Sequence, residues 1–139
     1  EALGGKKLSV EQVERALLAL ERARKGIRSE TVLAYALLRE GDLQRYLERN
    51  FEALRLYSTL VNDYPKEREF VLRAKIRIGR LFGTLGMTDT HLNYYIGLLN
   101  EYRDFERYQR DVLEAVIELL RDEVAMAPDL AAALALAPD

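Results

Sequence analysis

The sequence lacks cysteine altogether, has one histidine, and carries only three prolines in 139 residues. Without cysteine there is no disulfide, no thiolate catalysis and no cysteine-ligated zinc, although the absence does not choose a compartment. The lone histidine, His91, has no catalytic constellation around it. A catalytic imidazole needs an orienting acid and a nucleophile, and Asp89 is a neighbour in sequence without being an obvious partner. One histidine among scattered carboxylates shows no metal-ligand spacing either. No catalytic, cofactor-binding or metal-ligating residue is expected, and the chain reads as non-enzymatic. A basic excess is also missing. Lys+Arg 21 against Asp+Glu 23 gives a formal net charge of -2, which argues against a nucleic-acid binder. The mildly basic start, with Arg15, Arg22, Arg24, Lys25 and Arg28, reads as a solvated helix face. Apolar runs are only a few residues long, so no membrane insertion is expected. Gly79, Gly83 and Gly86 in GRLFGTLG lack the Gly-Lys-Ser/Thr ending of a phosphate loop, and read as close-approach and turn glycines. The first residue is Glu1 rather than Met, as expected of a cut or processed chain with any signal peptide or lipid anchor upstream.

What the sequence does have is helix. Abundant Leu, Ala, Arg and Glu, with no alternating β-branched runs, predict an all-α protein. Its length suits a single domain with one core, and its 32% charge suits exposed helix faces. Ser9 with Gln12 forms a capping-box pattern that opens an N-terminal helix within 1–28, its apolar face formed by Val10, Val13, Ala16, Leu17 and Leu20. Ser29 is the next cap, followed by Val32, Leu33, Ala36 and Leu37, and Gly41-Asp42 offers a break. From Leu43 to about Tyr64 no breaker intervenes, and Leu43, Tyr46, Leu47, Phe51, Leu54, Tyr57 and Val61 keep helical spacing. That predicts one helix of roughly 33 Å at ~1.5 Å per residue, stopped by Pro65. Helices follow over about 67–85, with Phe70, Ala74, Ile78 and Leu81 inward, then over 90–102 and 105–127. The segment 128–139, containing LAAALALA, is expected to be a capping helix or a tail, which makes six to seven helices in all. Short connections predict antiparallel neighbours.

One string occurs nearly twice. LYSTLVNDYP at 56–65 is echoed thirty-eight residues later by YYIGLLNEYR at 94–103, and Ala36 and Gly41 fall on Ala74 and Gly79 at the same offset. A period of that length belongs to stacked helical hairpins. In the second unit Gly79, Phe82, Gly86 and Tyr95, and in the first Ala53, Tyr57 and Pro65, match a known pattern of small, aromatic, turn and terminal residues. On these positions the chain resembles the tetratricopeptide repeat family over about 30–124, with a best repeat at 66–103 and an irregular one at 29–65. The departures are Lys75 for a bulky apolar residue, His91 for a small one and Arg103 for the terminal proline. Glu48 stands at the turn-glycine position, so the second helix of that unit is expected to be over-long. The run Ala53 to Pro65 also resembles repeats of bacterial cell-envelope scaffold proteins, which implies a periplasmic or envelope setting.

The resemblance implies a non-catalytic interaction or scaffold module that holds a peptide or helix of a partner protein in a concave groove. The alternative is a self-assembling structural protein, and so a homo-oligomer. In the family the first helices line the groove, and basic residues there grip acidic peptides or a C-terminal carboxylate. Arg73, Arg77 and Arg80, spaced four and three apart, share a helix face and are the candidate partner-binding residues. The competing reading pairs them with Asp111, Glu114 and Glu118 on the next lining helix. Of eight tyrosines, Tyr57 and Tyr95 are expected in the core, Tyr64 and Tyr102 against the next hairpin, and Tyr35 and Tyr108 on the surface as binding candidates.

Overall fold

The computed structural model describes residues 8–124, and among them there are six α-helices and no strand. They are α1 (Val10–Arg24), α2 (Glu30–Tyr46), α3 (Asn50–Asp63), α4 (Arg68–Thr84), α5 (Thr88–Glu101) and α6 (Glu106–Val124). The chain forms two compact units, one ending at Leu81 and one starting at Phe82. The terminal segment 128–139 expected to cap the stack lies outside the described residues.

The first two helices start where their caps dictate. The Ser9 amide donates to Gln12 Oε1 at 2.8 Å while the Gln12 amide donates to Ser9 Oγ at 3.1 Å, so two orphan donors of α1 are satisfied at once. Ser29 Oγ likewise accepts the Val32 amide at 3.3 Å. In the first unit α2 packs against both α1 and α3. Its core takes Val13 and Leu17 from α1, Leu37 and Leu38 from α2, Leu56, Tyr57 and Leu60 from α3, and Leu72, Ala74 and Ile78 from α4. Each fully buried leucine contributes roughly 1.5–3 kcal/mol by leaving water. A charged pair is set into this core. Glu40 is fully buried and receives Arg24 through two bonds, Nε to Oε2 at 2.5 Å and Nη2 to Oε1 at 3.0 Å.

The break expected at Gly41-Asp42 does not occur. Gly41 is buried inside α2 against the Tyr57 ring, and a Cβ built on it would lie 2.4 Å from Tyr57 Cε1. The chain turns at 47–49 instead, so the over-long helix of the first repeat is two helices. Glu48 takes the left-handed conformation at φ 60. Its amide donates to Arg45 O at 2.9 Å and that of Arg49 to Gln44 O at 2.8 Å, the two bonds of a Schellman closure. The second hairpin repeats the device with Gly86 at φ 78, the amides of Gly86 and Met87 reaching the carbonyls of Gly83 and Phe82. Every boundary of α2 and α3 recurs 38 residues on in α4 and α5: Glu30 and Arg68, Tyr46 and Thr84, Asn50 and Thr88, Asp63 and Glu101. The echo in the sequence is a repeat of helix boundaries and of turn geometry in the fold.

Splitting the long helix re-phases its apolar stripe. Tyr46 and Phe51, expected inward, are exposed, while α3 buries Ala53, Leu56, Tyr57 and Leu60. Val10, Ala16 and Val32 also face outward, because α1 and α2 each bury a narrower strip than their apolar content suggests.

In the second unit α5 packs on α6. Tyr95, Leu98, Tyr102, Tyr108, Val112, Ala115 and Val116 form its core. Rings carry much of the packing, with Phe82 and Tyr94 edge-on at 5.5 Å and Tyr102 and Tyr108 at 6.0 Å. His91 is buried at the helix crossing, as expected, where its ring meets Tyr95 at 4.9 Å and lies against Gly83.

Candidate interaction surface on two first helices

Tyr35 on α2 and Phe70 on α4 are the nucleus of the site. Neighbouring first helices bring their rings edge-on at 5.9 Å, inside the first unit. Phe70, expected inward, is only half-buried, and Tyr35 keeps 46% of its surface exposed. A guanidinium lies over each ring, Arg39 at 5.2 Å from the Tyr35 centroid and Arg73 at 5.7 Å from that of Phe70. Helical geometry makes this possible, since Tyr35 and Arg39 are four apart and Phe70 and Arg73 three apart. The result is a row of cation, ring, ring, cation on the outside of two packed helices.

Below the row lies Asp42. Its Oδ1 accepts the Tyr57 hydroxyl at 2.6 Å and Arg77 Nε at 2.7 Å, and its Oδ2 accepts Arg39 Nη1 at 3.1 Å. One carboxylate thus serves two guanidiniums and a buried phenol, which leaves the group net cationic. Arg39 holds its proton more tightly than usual, chiefly through the Tyr35 hydroxyl, against the opposing effect of burial, and then through Asp42. Burial, then the bond to Asp42, pushes the Tyr57 phenol above its ordinary range.

The three arginines of the sequence stripe do not share one role. Arg77 reaches back to α2 and to Asp42, with its side chain 20% exposed. Arg73 bonds only to its own helix, at 3.2 Å from Glu69, and is 46% exposed. Arg80 is exposed. Arg77 and Arg73 pair with Asp42 and Glu69, whereas the competing reading offered Asp111, Glu114 and Glu118. Glu114 instead lies 3.8 Å from Arg110 on its own helix. Tyr108, expected on the surface, is 9% exposed and packs on Tyr102 in the second unit. Arg39, Asp42 and Phe70 were missed. By local spacing Asp42 reads as a turn residue and Phe70 as core, although Arg39 and Arg77 stand 38 apart, the offset of the echo itself.

A second concavity, a shallow depression of about 270 Å³, lies between α5 and α6 and is lined by Leu99, Tyr102, Arg103, Gln109, Val112 and Leu113. It is mostly apolar, and its polar lining residues meet each other, the Gln109 amide donating to the Arg103 carbonyl. Among the described residues no group of three His, Asp or Glu side chains could hold a metal ion, and no helix is long and apolar enough to cross a membrane.

Comparison with protein-family models, curated proteins and solved structures finds no match for this chain. The site is read from its own geometry.

Proposed function

We propose that this chain is a non-catalytic interaction module of helical hairpins, of the tetratricopeptide type, which docks a peptide or a helix of a partner protein along α2 and α4. The observation that carries this is the exposed Tyr35–Phe70 pair with Arg39 and Arg73 over its two rings. Aromatic and arginine side chains dominate the energetics of protein interfaces, because both combine apolar contact with directional polar ends. Rigid helices present them at little entropic cost. The repeat-like run from Ala53 to Pro65 adds a bacterial cell-envelope setting to the proposal.

The test is a random peptide display selection on the immobilised wild-type chain, with the selected clones rechallenged on Tyr35→Ala. Tyr35 is exposed, so its loss leaves the fold intact. Loss of retention on the variant supports the reading, and undiminished retention refutes it.

A second reading, self-assembly, has its own support. Leu92 and Ile96 on α5 and Leu113 and Ile117 on α6 are exposed apolar pairs at i,i+4 spacing. Light scattering across a concentration series separates the two readings. A peptide-binding monomer keeps its mass, whereas a self-assembling chain grows.

A further inference from the structure

We infer, resting on the self-assembly reading above, that the exposed apolar face of α5 and α6 is covered by a second copy of this chain, the two α6 helices packing antiparallel about a twofold axis beside Ile117. The face belongs to the second unit alone, so the Tyr35–Phe70 pair takes no part in it. Leu99 of α5 and Leu113 of α6 line one shallow depression. Ile96 and Leu92 come three and seven residues before Leu99, and Ile117 four after Leu113, so helical spacing continues each side of that depression as an apolar stripe. Leu92, Ile96, Leu113 and Ile117 are 40–49% exposed. Two apolar stripes flanking one groove take a helix that turns an apolar stripe of its own toward them, and α6 carries one.

Charge selects the occupant and its direction. Glu114 and Arg121 are both exposed and lie seven residues apart, on one edge of the Leu113–Ile117 stripe. Glu114 comes three residues before Ile117 and Arg121 four after it. A second α6 running the opposite way past that point brings its Arg121 level with Glu114, and the twofold axis makes the same pair again. A parallel partner would level each residue with its own copy, Glu114 with Glu114, and gain nothing from these charges. Glu114 changes partner at small cost, because its contact with Arg110 spans 3.8 Å between side chains 64% and 86% exposed.

Sedimentation equilibrium of the full chain over a concentration series tests this, with circular dichroism to show that each variant keeps wild-type helicity. Wild type is expected to pass from the mass of one chain to that of two. Glu114→Arg alone sets two cations opposite each other at both ends of the pair, and Arg121→Glu alone sets two anions there. Each should weaken dimerisation roughly tenfold or more. An equimolar mixture of these two variants should recover the wild-type dimer, because unlike charges then meet at both ends. Leu113→Asp, at an exposed position, should abolish the dimer. Wild type that keeps the mass of one chain at every concentration overturns the self-assembly reading and the inference together. Association that persists in Leu113→Asp, or a mixture that associates no better than either charge variant alone, overturns the antiparallel α6 pairing while self-assembly stands.

Discussion

Arg77 Nε donates to Asp42 Oδ1 at 2.7 Å, although the two residues are 35 apart in sequence and sit on different helices of the first unit. The bond separates Arg77 from its sequence neighbour Arg73, whose carboxylate is one turn away on its own helix. Asp42→Ala should cost about 2–4 kcal/mol, because it strips Arg77 and the buried Tyr57 hydroxyl of an acceptor at once. Arg73→Ala should stay within about 0.5 kcal/mol. Chemical denaturation of both variants checks this, and equal losses would refute the distinction.

The two hairpin turns use one backbone geometry with different residues. Glu48 holds a left-handed conformation that costs a side-chain-bearing residue about 1–2 kcal/mol, whereas Gly86 holds it freely. Glu48→Gly should stabilise by up to about 1 kcal/mol, the relief being partly offset by a more flexible unfolded chain. Gly86→Ala should destabilise by about 1–2 kcal/mol, although no atom lies within 4 Å of its added Cβ. Opposite signs in thermal melts are the expected result.

Three helical glycines should respond differently to one methyl group. Gly41→Ala drives a Cβ to 2.4 Å from the Tyr57 ring and should cost about 1–3 kcal/mol. Gly83→Ala meets His91 Nδ1 at 2.6 Å, so its loss should be rescued in the Gly83→Ala/His91→Ala double variant. Gly97 has open space around it, and Gly97→Ala should stabilise α5 by about 0.5–1 kcal/mol. A flat response across the three would show that these close contacts are not formed.

The buried acid of α2 provides a separate test. Arg24→Ala leaves Glu40 charged and without its partner in the core, and should cost about 3–5 kcal/mol. Glu40→Ile copies the second hairpin, where Ile78 stands 38 residues on, and leaves Arg24 able to turn to solvent. Its cost should be well under that of Arg24→Ala. The comparison is a pair of denaturation curves, and the reverse order would contradict the packing described.

High pH should unfold the protein through its buried phenols. Burial is the main cause holding Tyr57 and Tyr94 neutral, with Asp42 adding to it at Tyr57 and Glu101 at Tyr94. Both folded values lie above the unfolded value of 10.0, so this stability is fully present below pH 10 and is lost as pH rises beyond it. Tyr57→Phe and Tyr94→Phe should each flatten the fall above pH 10, and unchanged slopes would show that neither phenol is shielded.

The sequence by itself determined whatever is settled within a few residues. Caps at Ser9 and Ser29 act over three residues, helical periodicity over seven, and both were legible. So was the echo, since helices with equivalent boundaries and turns repeat equivalent residues. The tertiary structure decided everything that depends on which distant groups meet. Gly41 reads locally as a breaker, but the Tyr57 ring packed against it makes it the residue that lets two helices approach, and the turn moves to Glu48 despite the strain there. That displacement re-phased α3 and put Phe51 outside. Tyr108 went inside because Tyr102 was there to pack on it. Spacing placed three arginines on one helix, and only the approach of α2 made Arg77 a structural tie and left Arg73 beside an exposed ring. Partners for long, charged side chains are chosen by proximity in the fold, to which sequence separation is blind.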